Sequence, residues 1–279
     1  MEPFDEFTKR LHLLASKYPS LIINTLSNVF TMRLIGNKTH GDLAEIAIAE
    51  FVNQFMYDYE ARHVGKDLFR AKSSEEDILV TSLISESNIP ISLKAYGDGP
   101  LQLSTDKDST LFPLLESFGV EEISDQGQIK EILALAPFRH AGSIHVLPLV
   151  YNEKKQECAI MLFSPDAIHS TCRIYKSLPG VGRRKHPVWI FEDKRGNYIC
   201  EVRYGGKNAN ALQRGLWTHT QKASSHFSFV TDGWISYSHN LVLTELFAKA
   251  LNATAEGHSL ALKAIESDIE DIKKSVGLA

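Results

Sequence analysis

Apolar residues recur at helical spacing through the first 63 residues of the chain. The pattern predicts a helix over 4–35, with a break near Pro19 because proline is poorly tolerated inside a helix. A second and clearer helix is predicted over 39–63, where apolar side chains recur at spacing four. These side chains are Leu43, Ala47, Phe51 and Phe55. The chain is therefore expected to begin with packed helices.

The pattern changes to alternation after residue 77. Two apolar runs, 77–84 and 89–95, are separated by the polar stretch 85–88, whose length and composition predict a β-hairpin. Side chains alternate between the two faces of a strand, so Ser92 and Lys94 share one face and the apolar residues of the second run share the other. A cation thus lies in the middle of a run that is otherwise typical of a buried strand.

The predicted loop also fixes the register of the hairpin. It pairs Ile84 with Ile89, Thr81 with Ser92 and Leu79 with Lys94. Asp77 then lies on the lysine face, one diagonal step from Lys94 and within roughly 7–8 Å of it. A slip of one residue would move Asp77 to the other face. The alternative is a surface hairpin with a solvated Lys94 and an exposed Asp77.

The rest of the chain predicts a mixture of helices and antiparallel strands. Two short helices are expected within 108–119 and 125–136, the first interrupted by Pro113. Strand–turn–strand patterns follow at 144–164 and 186–206. The C-terminal segment predicts a helix, a break at Gly257 and another helix. The fold class is therefore α/β, with a β-rich second half.

Length and composition are those of an ordinary globular protein. The 279 residues are 43% hydrophobic and 23% charged, enough for one large domain or two lobes. No run of 18 apolar residues occurs and the N-terminus lacks the apolar core of a signal peptide, so a cytoplasmic location without membrane insertion is expected. Three widely spaced cysteines, Cys158, Cys172 and Cys200, favour reduced thiols.

Positive charge is concentrated in one part of the sequence. The segment 173–214 contains ten Lys or Arg and three Asp or Glu, a balance of +7. Because the net charge of the whole chain is −4, the other residues together carry a charge of −11. Such asymmetry is expected of a phosphate-binding lobe on an acidic protein. The alternative is a solvated basic loop.

Asp77 and Lys94 together carry chemistry that phosphodiester hydrolysis requires. That reaction needs a carboxylate to hold a divalent cation, a group to orient water, and positive charge to stabilise the transition state. The spacing from Asp77 to Ser92-Leu93-Lys94 resembles the core of the PD-(D/E)xK nucleases, the superfamily of most type II restriction endonucleases. The longer sequence around it, roughly 40–110, is also similar to restriction endonuclease sequence.

The resemblance implies roles for four residues. Asp77 would hold Mg²⁺, and Lys94 would position the attacking water. Glu45 of the preceding helix, with Glu50 as the alternative, would assist as a further metal ligand. Ser92 occupies the place of the usual second acid, and Glu76 replaces the proline that normally precedes the aspartate. Because serine is a weak metal ligand, Glu45 would have to complete the site.

A second phrase, 201–220, is also similar to segments of restriction enzymes. Its glycine pair Gly205-Gly206 permits close approach of the backbone to a ligand. Polar side chains that follow the glycines are suited to base edges or phosphates, and a basic cluster precedes them. The candidate DNA-binding residues are Arg183, Arg184, Lys185, Lys207, Asn208, Asn210, Gln213 and Arg214. The alternative is a polar loop leading into a helix.

A competing catalytic assignment is offered by the acid-x-cation sequence Glu201-Val202-Arg203 together with Asp193. Arginine cannot act as a base, and Asp193 lies in a predicted turn, which weakens this assignment.

Taken together, the resemblance implies a sequence-specific, Mg²⁺-dependent type II restriction endonuclease acting on double-stranded DNA. It implies a mixed central sheet flanked by helices and a β-rich basic C-terminal lobe. The expected units are a nuclease core over 1–138 and a DNA-recognition lobe over 139–279, or one continuous domain. A cognate DNA methyltransferase and a homodimer are the implied partners. The alternatives are a catalytically inactive DNA-binding protein on the same fold and an unrelated α/β phosphohydrolase.

Overall fold

The computed structural model describes most of the chain. The described residues are 2–35, 40–64, 76–97, 99–106, 108–135, 138, 145–164, 166–179, 185–210, 213–251 and 255–275. They form helices and two β-sheets, so the protein is of the mixed α/β class. Among them, no helix has the length and apolar character needed to cross a membrane.

Three helices begin the chain: α1 (Pro3–Lys17), α2 (Pro19–Ile35) and α3 (His40–Phe55). The predicted break near Pro19 is confirmed, because α1 ends at Lys17 and Pro19 is the first residue of α2. The prediction that the third helix reaches residue 63 is wrong. After α3, the period-two pattern of Tyr59, Ala61 and His63 forms a strand, with Tyr59 and Ala61 buried.

The first sheet has seven strands drawn from most of the chain. These are β1 (Tyr59–His63), β2 (Ile78–Ser82), β3 (Asn88–Tyr96), β6 (His145–Asn152), β7 (Glu157–Phe163), β12 (Phe227–Phe229) and β13 (Ile235–Ser236). Their order is β1-β2-β3-β6-β7-β12, with β13 also paired to β7. The β3–β6 pair is parallel and the other pairs are antiparallel, so the sheet is mixed.

The second sheet has six strands and is antiparallel throughout. In spatial order they are β4 (Pro100–Thr105), β11 (Gly215–His219), β10 (Tyr198–Arg203), β9 (Val188–Asp193), β8 (Thr171–Ser177) and β5 (Glu122–Ile123). Each sheet therefore contains strands from both sides of residue 138. Strands from the two predicted units, 1–138 and 139–279, thus pair with each other in both sheets.

The remaining helices include α4 (Leu111–Glu116), α5 (Gln126–Ala134) and α6 (Asp166–His169) between strands. A 3-10 helix covers Ser224–His226, and α7 (Leu241–Leu251) and α8 (Ala255–Ser275) end the described chain. Pro113 does not interrupt α4, because it lies in the first turn, where its missing N–H has no helical partner to lose. Gly257 lies inside α8, so the predicted break at this residue is wrong.

Two large hydrophobic cores among the described residues define the layers, and a third, small cluster consists of Val150, Ala159 and Met161. The first packs α1–α3 against one face of the first sheet and includes Phe7, Leu11, Val52, Ile91 and Leu147. The second packs the helices α4–α6 against the second sheet and includes Leu115, Ile132, Trp189 and Val202. Val146 and Phe163 of the first sheet also belong to the second core. The first sheet is therefore covered by helices on one face and turned toward the second core on the other.

Candidate active site

The β2–β3 hairpin forms with a different register from the one that the sequence predicts. Thr81 pairs with Asn88 and Val80 with Ile89, so Thr81 does not lie opposite Ser92 as predicted. The chain turns at 83–87, and Ile84 is 74% exposed instead of paired with Ile89. Because the register differs by an even number of residues, every side chain keeps its predicted face.

Asp77, Ser92 and Lys94 meet on the face of β3 that is turned away from α1–α3. The Ser92 hydroxyl donates to Oδ2 of Asp77 at 2.9 Å, and Nζ of Lys94 donates to the same oxygen at 3.4 Å. The serine is only 1% exposed. The side chains of Asp77 and Lys94 are 17% and 32% exposed, so the ion pair remains open to solvent on one side. The predicted proximity of Asp77 to Lys94 is thus present.

The backbone around Asp77 is held on both sides. Its N–H donates to the carbonyl of Ile91 at 2.9 Å, and its own carbonyl accepts from the N–H of Val64 at 2.9 Å. These bonds connect the residue to β3 and to the end of β1, so they fix the position of the backbone that carries the carboxylate. Its Oδ2 is occupied by two donors, whereas Oδ1 has no hydrogen bond or ion pair among the described residues.

Glu45 lies on α3 and contacts His63 of the first sheet, a residue that was not predicted from the sequence. Oε2 of Glu45 lies 2.9 Å from Nε2 of His63, and the two side chains are 16% and 29% exposed. His63 pairs with the buried Ile78 in the β1–β2 ladder, so it lies on the face that packs against the helices. Ser92 and Lys94 lie on the other face. The alternation of Tyr59, Ala61 and His63 was the signal that could have identified this residue.

A magnesium ion at this position would rest mainly on Asp77. Mg²⁺ prefers oxygen ligands and is commonly held by one or two carboxylates, with waters and substrate phosphates completing its coordination. Asp77 supplies one carboxylate with an available oxygen, whereas Glu45, the predicted second, contacts His63 on the opposite face of the sheet from Ser92 and Lys94. Within the described residues, no group of three or more His, Cys, Asp or Glu side chains is arranged to hold a metal ion.

The predicted DNA-reading residues lie largely in the loop between β10 and β11. The side chains of Lys207, Asn208, Asn210 and Gln213 are exposed there, whereas Arg214 is half-buried. The loop is partly held by its own polar groups: the N–H of Asn210 donates to Oε1 of Gln213 at 3.1 Å. In addition, Nε2 of Gln102 donates to the Arg214 carbonyl at 2.6 Å.

The basic cluster that precedes this loop is only partly described. Lys185 is exposed, and Arg183 and Arg184 lie outside the described residues.

Gly205 and Gly206 lie where a side chain would collide with other parts of the protein. A Cβ on Gly205 would lie 2.8 Å from the carbonyl oxygen of Gln213, and one on Gly206 would lie 2.7 Å from Nε2 of His186. Both residues have positive φ angles, +71° and +107°, which favour glycine. The expectation that these glycines allow close approach of a ligand is therefore not needed to explain them.

Several cations of the basic segment are neutralised by acids. Arg173 pairs with Glu122 at 2.8 Å and with Glu192 at 3.3 Å, and its hydrogen bond holds the pKa of Glu122 below the usual value. Two further ion pairs are Lys176–Glu116 at 2.7 Å and Arg203–Glu201 at 2.6 Å. The surface excess of positive charge is thus smaller than the count along the sequence indicates.

The competing residues Asp193 and Glu201 form two separate clusters. Glu201 is 3% exposed and accepts from Nε of Arg203 at 2.6 Å and from the Tyr198 hydroxyl at 3.2 Å. Burial, followed by the charge of Glu201, raises the pKa of Tyr198. No hydrogen bond or ion pair among the described residues joins Glu201 to Asp193. Both oxygens of Glu201 are engaged, so this cluster offers less to a metal than Asp77.

Comparison with known proteins finds no match to this chain among family models, curated proteins or solved structures.

Proposed function

We propose that this protein is a Mg²⁺-dependent DNA endonuclease of the type II restriction class. The observation that carries the proposal is the contact of Ser92 and Lys94 with Oδ2 of Asp77 on one face of β3. A metal-binding carboxylate and a cation for the scissile phosphate are then within a few ångströms of each other. The sequence resemblance and this contact together support the proposed fold and activity.

Each residue has a defined task in this proposal. Asp77 holds the metal through its free Oδ1, while Ser92 and Lys94 fix its Oδ2 and hence the orientation of the carboxylate. Lys94, which is partly exposed, orients the attacking water and offsets charge at the phosphate. When bound, Mg²⁺ acts as a Lewis acid and lowers the pKa of coordinated water. Glu45 stays the proposed further ligand, although its partner His63 lies on the opposite face of the sheet from Ser92 and Lys94.

The proposed substrate is double-stranded DNA. The exposed loop residues Lys207, Asn208, Asn210 and Gln213 are of the kinds that contact phosphates and base edges. By the same resemblance, a cognate methyltransferase and a second copy of the chain remain the proposed partners.

A second candidate function is DNA binding without cleavage. It is favoured by Ser92, which lies where the family usually has a second metal-binding acid and which donates its hydroxyl proton to Asp77. A neutral hydroxyl adds little to the binding of a divalent cation, so the remaining site could be too weak for turnover.

A cleavage assay separates the two functions. Phage DNA incubated with the protein and Mg²⁺ should give discrete fragments, and Lys94→Ala or Asp77→Ala should abolish them. Both variants should still bind DNA in Ca²⁺, which usually occupies such sites without supporting turnover in this family. Lys176→Ala is the matched control, because Lys176 is also a half-buried lysine in an ion pair but lies on the second sheet.

The outcomes are distinct. Fragments from wild type and the control, but not from the two site variants, support the nuclease. Wild-type cleavage by Lys94→Ala would remove the hairpin from consideration, and sequence-specific binding without fragments would favour the inactive DNA-binding protein.

A further inference from the structure

A cleft of about 740 Å³ lies beside the turn that joins β9 to β10. None of Asp77, Ser92 and Lys94 lines it. Its walls come from the end of β7, from α6 and the start of β8, from the β9–β10 turn, and from the segment around the 3-10 helix. Sites for small molecules are typically about 300–1,000 Å³, so the cleft is large enough for a mononucleotide.

Two cations project from the turn that forms one wall. Lys194 and Arg195 are exposed, and the turn is held rigid by Asp193. Oδ1 of Asp193 accepts from the N–H of Arg195 at 2.8 Å and from that of Asn197 at 2.9 Å. Oδ2 accepts from Nδ2 of Asn197 at 2.9 Å. The carboxylate is therefore engaged in fixing the turn, which presents the two cations.

The same hydrogen bonds keep Asp193 ionised. Burial by itself would raise the pKa of Asp193, but the hydrogen bonds from Asn197 and Arg195 lower it on balance. The other carboxylate in the wall, Asp166, is exposed, so water screens its repulsion of an anion.

His226 adds a buried polar group close to Asp193. Its side chain is 12% exposed, and Nε2 is buried without a hydrogen-bond partner among the described residues. Oδ2 of Asp193 lies 3.8 Å from this nitrogen, beyond hydrogen-bond distance. Because an unpaired buried nitrogen is costly, a rotation of the His226 ring that brought Nε2 to an oxygen acceptor in the cleft would stabilise it.

Neutral donors and an aromatic ring complete the lining. Ser164, Ser225 and Ser228 are exposed, and their hydroxyls make no hydrogen bond to other described residues. Serine hydroxyls donate readily to phosphate oxygens. Phe227 lies in the same wall, and aromatic rings provide stacking surfaces for bases.

We propose that this cleft binds a nucleotide through its phosphate group. The phosphate meets Lys194, Arg195 and His226, the serine hydroxyls contact its remaining oxygens, and the base packs near Phe227. This chemistry is shared by a free mononucleotide and by a nucleotide within a DNA strand. The proposal does not depend on cleavage at Asp77 and Lys94.

Calorimetric titration of the full chain at low salt tests the proposal. The ligands are deoxyadenosine monophosphate and, to isolate the phosphate, deoxyadenosine. The monophosphate should bind, and the nucleoside should bind at least tenfold more weakly. Arg195→Gln and His226→Gln should each weaken binding of the monophosphate by roughly tenfold, since each removes a charged or buried donor.

Lys155→Gln is the matched control for Arg195→Gln. Lys155 is also an exposed cation in a hairpin turn, and its backbone N–H donates to the side-chain oxygen of Asn152. Unlike Arg195, it lies outside the cleft. Its substitution should leave the affinity unchanged. Arg195→Gln keeps the backbone bond to Asp193, and unfolding midpoints for all variants exclude a general loss of fold.

Three outcomes would overturn the proposal: no binding of the monophosphate, equal affinity for nucleoside and monophosphate, or equal effects of Arg195→Gln and Lys155→Gln. A single-stranded tetranucleotide shows whether the cleft binds a free mononucleotide or a nucleotide within a DNA strand. Tighter binding of the tetranucleotide than of the monophosphate assigns the cleft to a DNA strand, and weaker binding assigns it to free nucleotide. The titration is repeated with Lys94→Ala, so failure of the proposed nuclease activity leaves this result interpretable.

Discussion

Gly205 and Gly196 form a matched pair that tests why the loop after β10 needs glycine. Both residues have similar positive φ angles, +71° and +77°. A Cβ on Gly205 would lie 2.8 Å from both the Gln213 carbonyl oxygen and Cβ of Ala209, whereas a Cβ on Gly196 would have no atom within 4 Å. Alanine at either position therefore meets the same backbone strain, but only alanine at Gly205 also meets a steric clash.

The expected magnitudes follow from these two effects. A non-glycine residue in the left-handed region costs about 1–2 kcal/mol, partly offset by about 0.4–1 kcal/mol because alanine restricts the unfolded chain. Gly196→Ala should thus lower the free energy of unfolding by about 0–1.6 kcal/mol. Gly205→Ala should lower it by a further 1–3 kcal/mol, roughly the range for overpacking, because a backbone carbonyl cannot rotate out of the way.

Urea unfolding followed by circular dichroism measures both values, and DNA binding is measured where each variant is fully folded. Equal losses of unfolding free energy would refute the packing explanation. If, in addition, Gly205→Ala alone lost DNA affinity, the glycine would instead be serving the approach of a ligand.

Two further predictions concern the first sheet. Ser92→Ala should lower the free energy of unfolding by about 1–2 kcal/mol, because it removes the hydroxyl donor to Asp77. The same variant should reduce cleavage less than Lys94→Ala does. Urea unfolding curves measure the first effect and fragment yields measure the second. Burial lowers the pKa of His145, so the unfolded chain binds more protons below pH 6.5 and stability should fall as pH drops from that value. His145→Leu should flatten this dependence in unfolding midpoints measured from pH 7 to 5, and an unchanged slope would contradict the assignment.

Local pattern was sufficient where neighbouring segments pair with each other. The two hairpins β6–β7 and β9–β10 occupy the predicted segments because alternation and a polar turn are both encoded within about 20 residues. Periodicity failed at the end of α3, where apolar residues continue beyond Phe55 but the chain changes from helix to strand. There the burial of Tyr59 and Ala61 against the first core decides the structure.

The contact between Asp77 and Lys94 survived an error in the hairpin loop for a simple reason. Any shift of register by an even number of residues leaves each side chain on the same face of the sheet. A prediction of which side chains share a face therefore holds even when the loop is wrong, whereas a prediction of directly paired residues does not. The partners named for Thr81 and Ile84 were accordingly wrong. The pairing of Glu45 with His63 depends on how α3 packs on β1, which no local pattern specifies.

Charge along the sequence is the weakest guide to the surface. Arg173 and Glu122 are 51 residues apart in the chain but adjacent across the β5–β8 pair, where they form an ion pair. Lys176 and Glu116 are likewise brought together by α4 and β8. A count of cations within 173–214 includes both residues, although each is matched by an acid from outside the segment. The exposed cations of the turns and loops, such as Lys194, Arg195 and Lys207, are therefore the better guide to where a phosphate can bind, because folding leaves their charge at the surface.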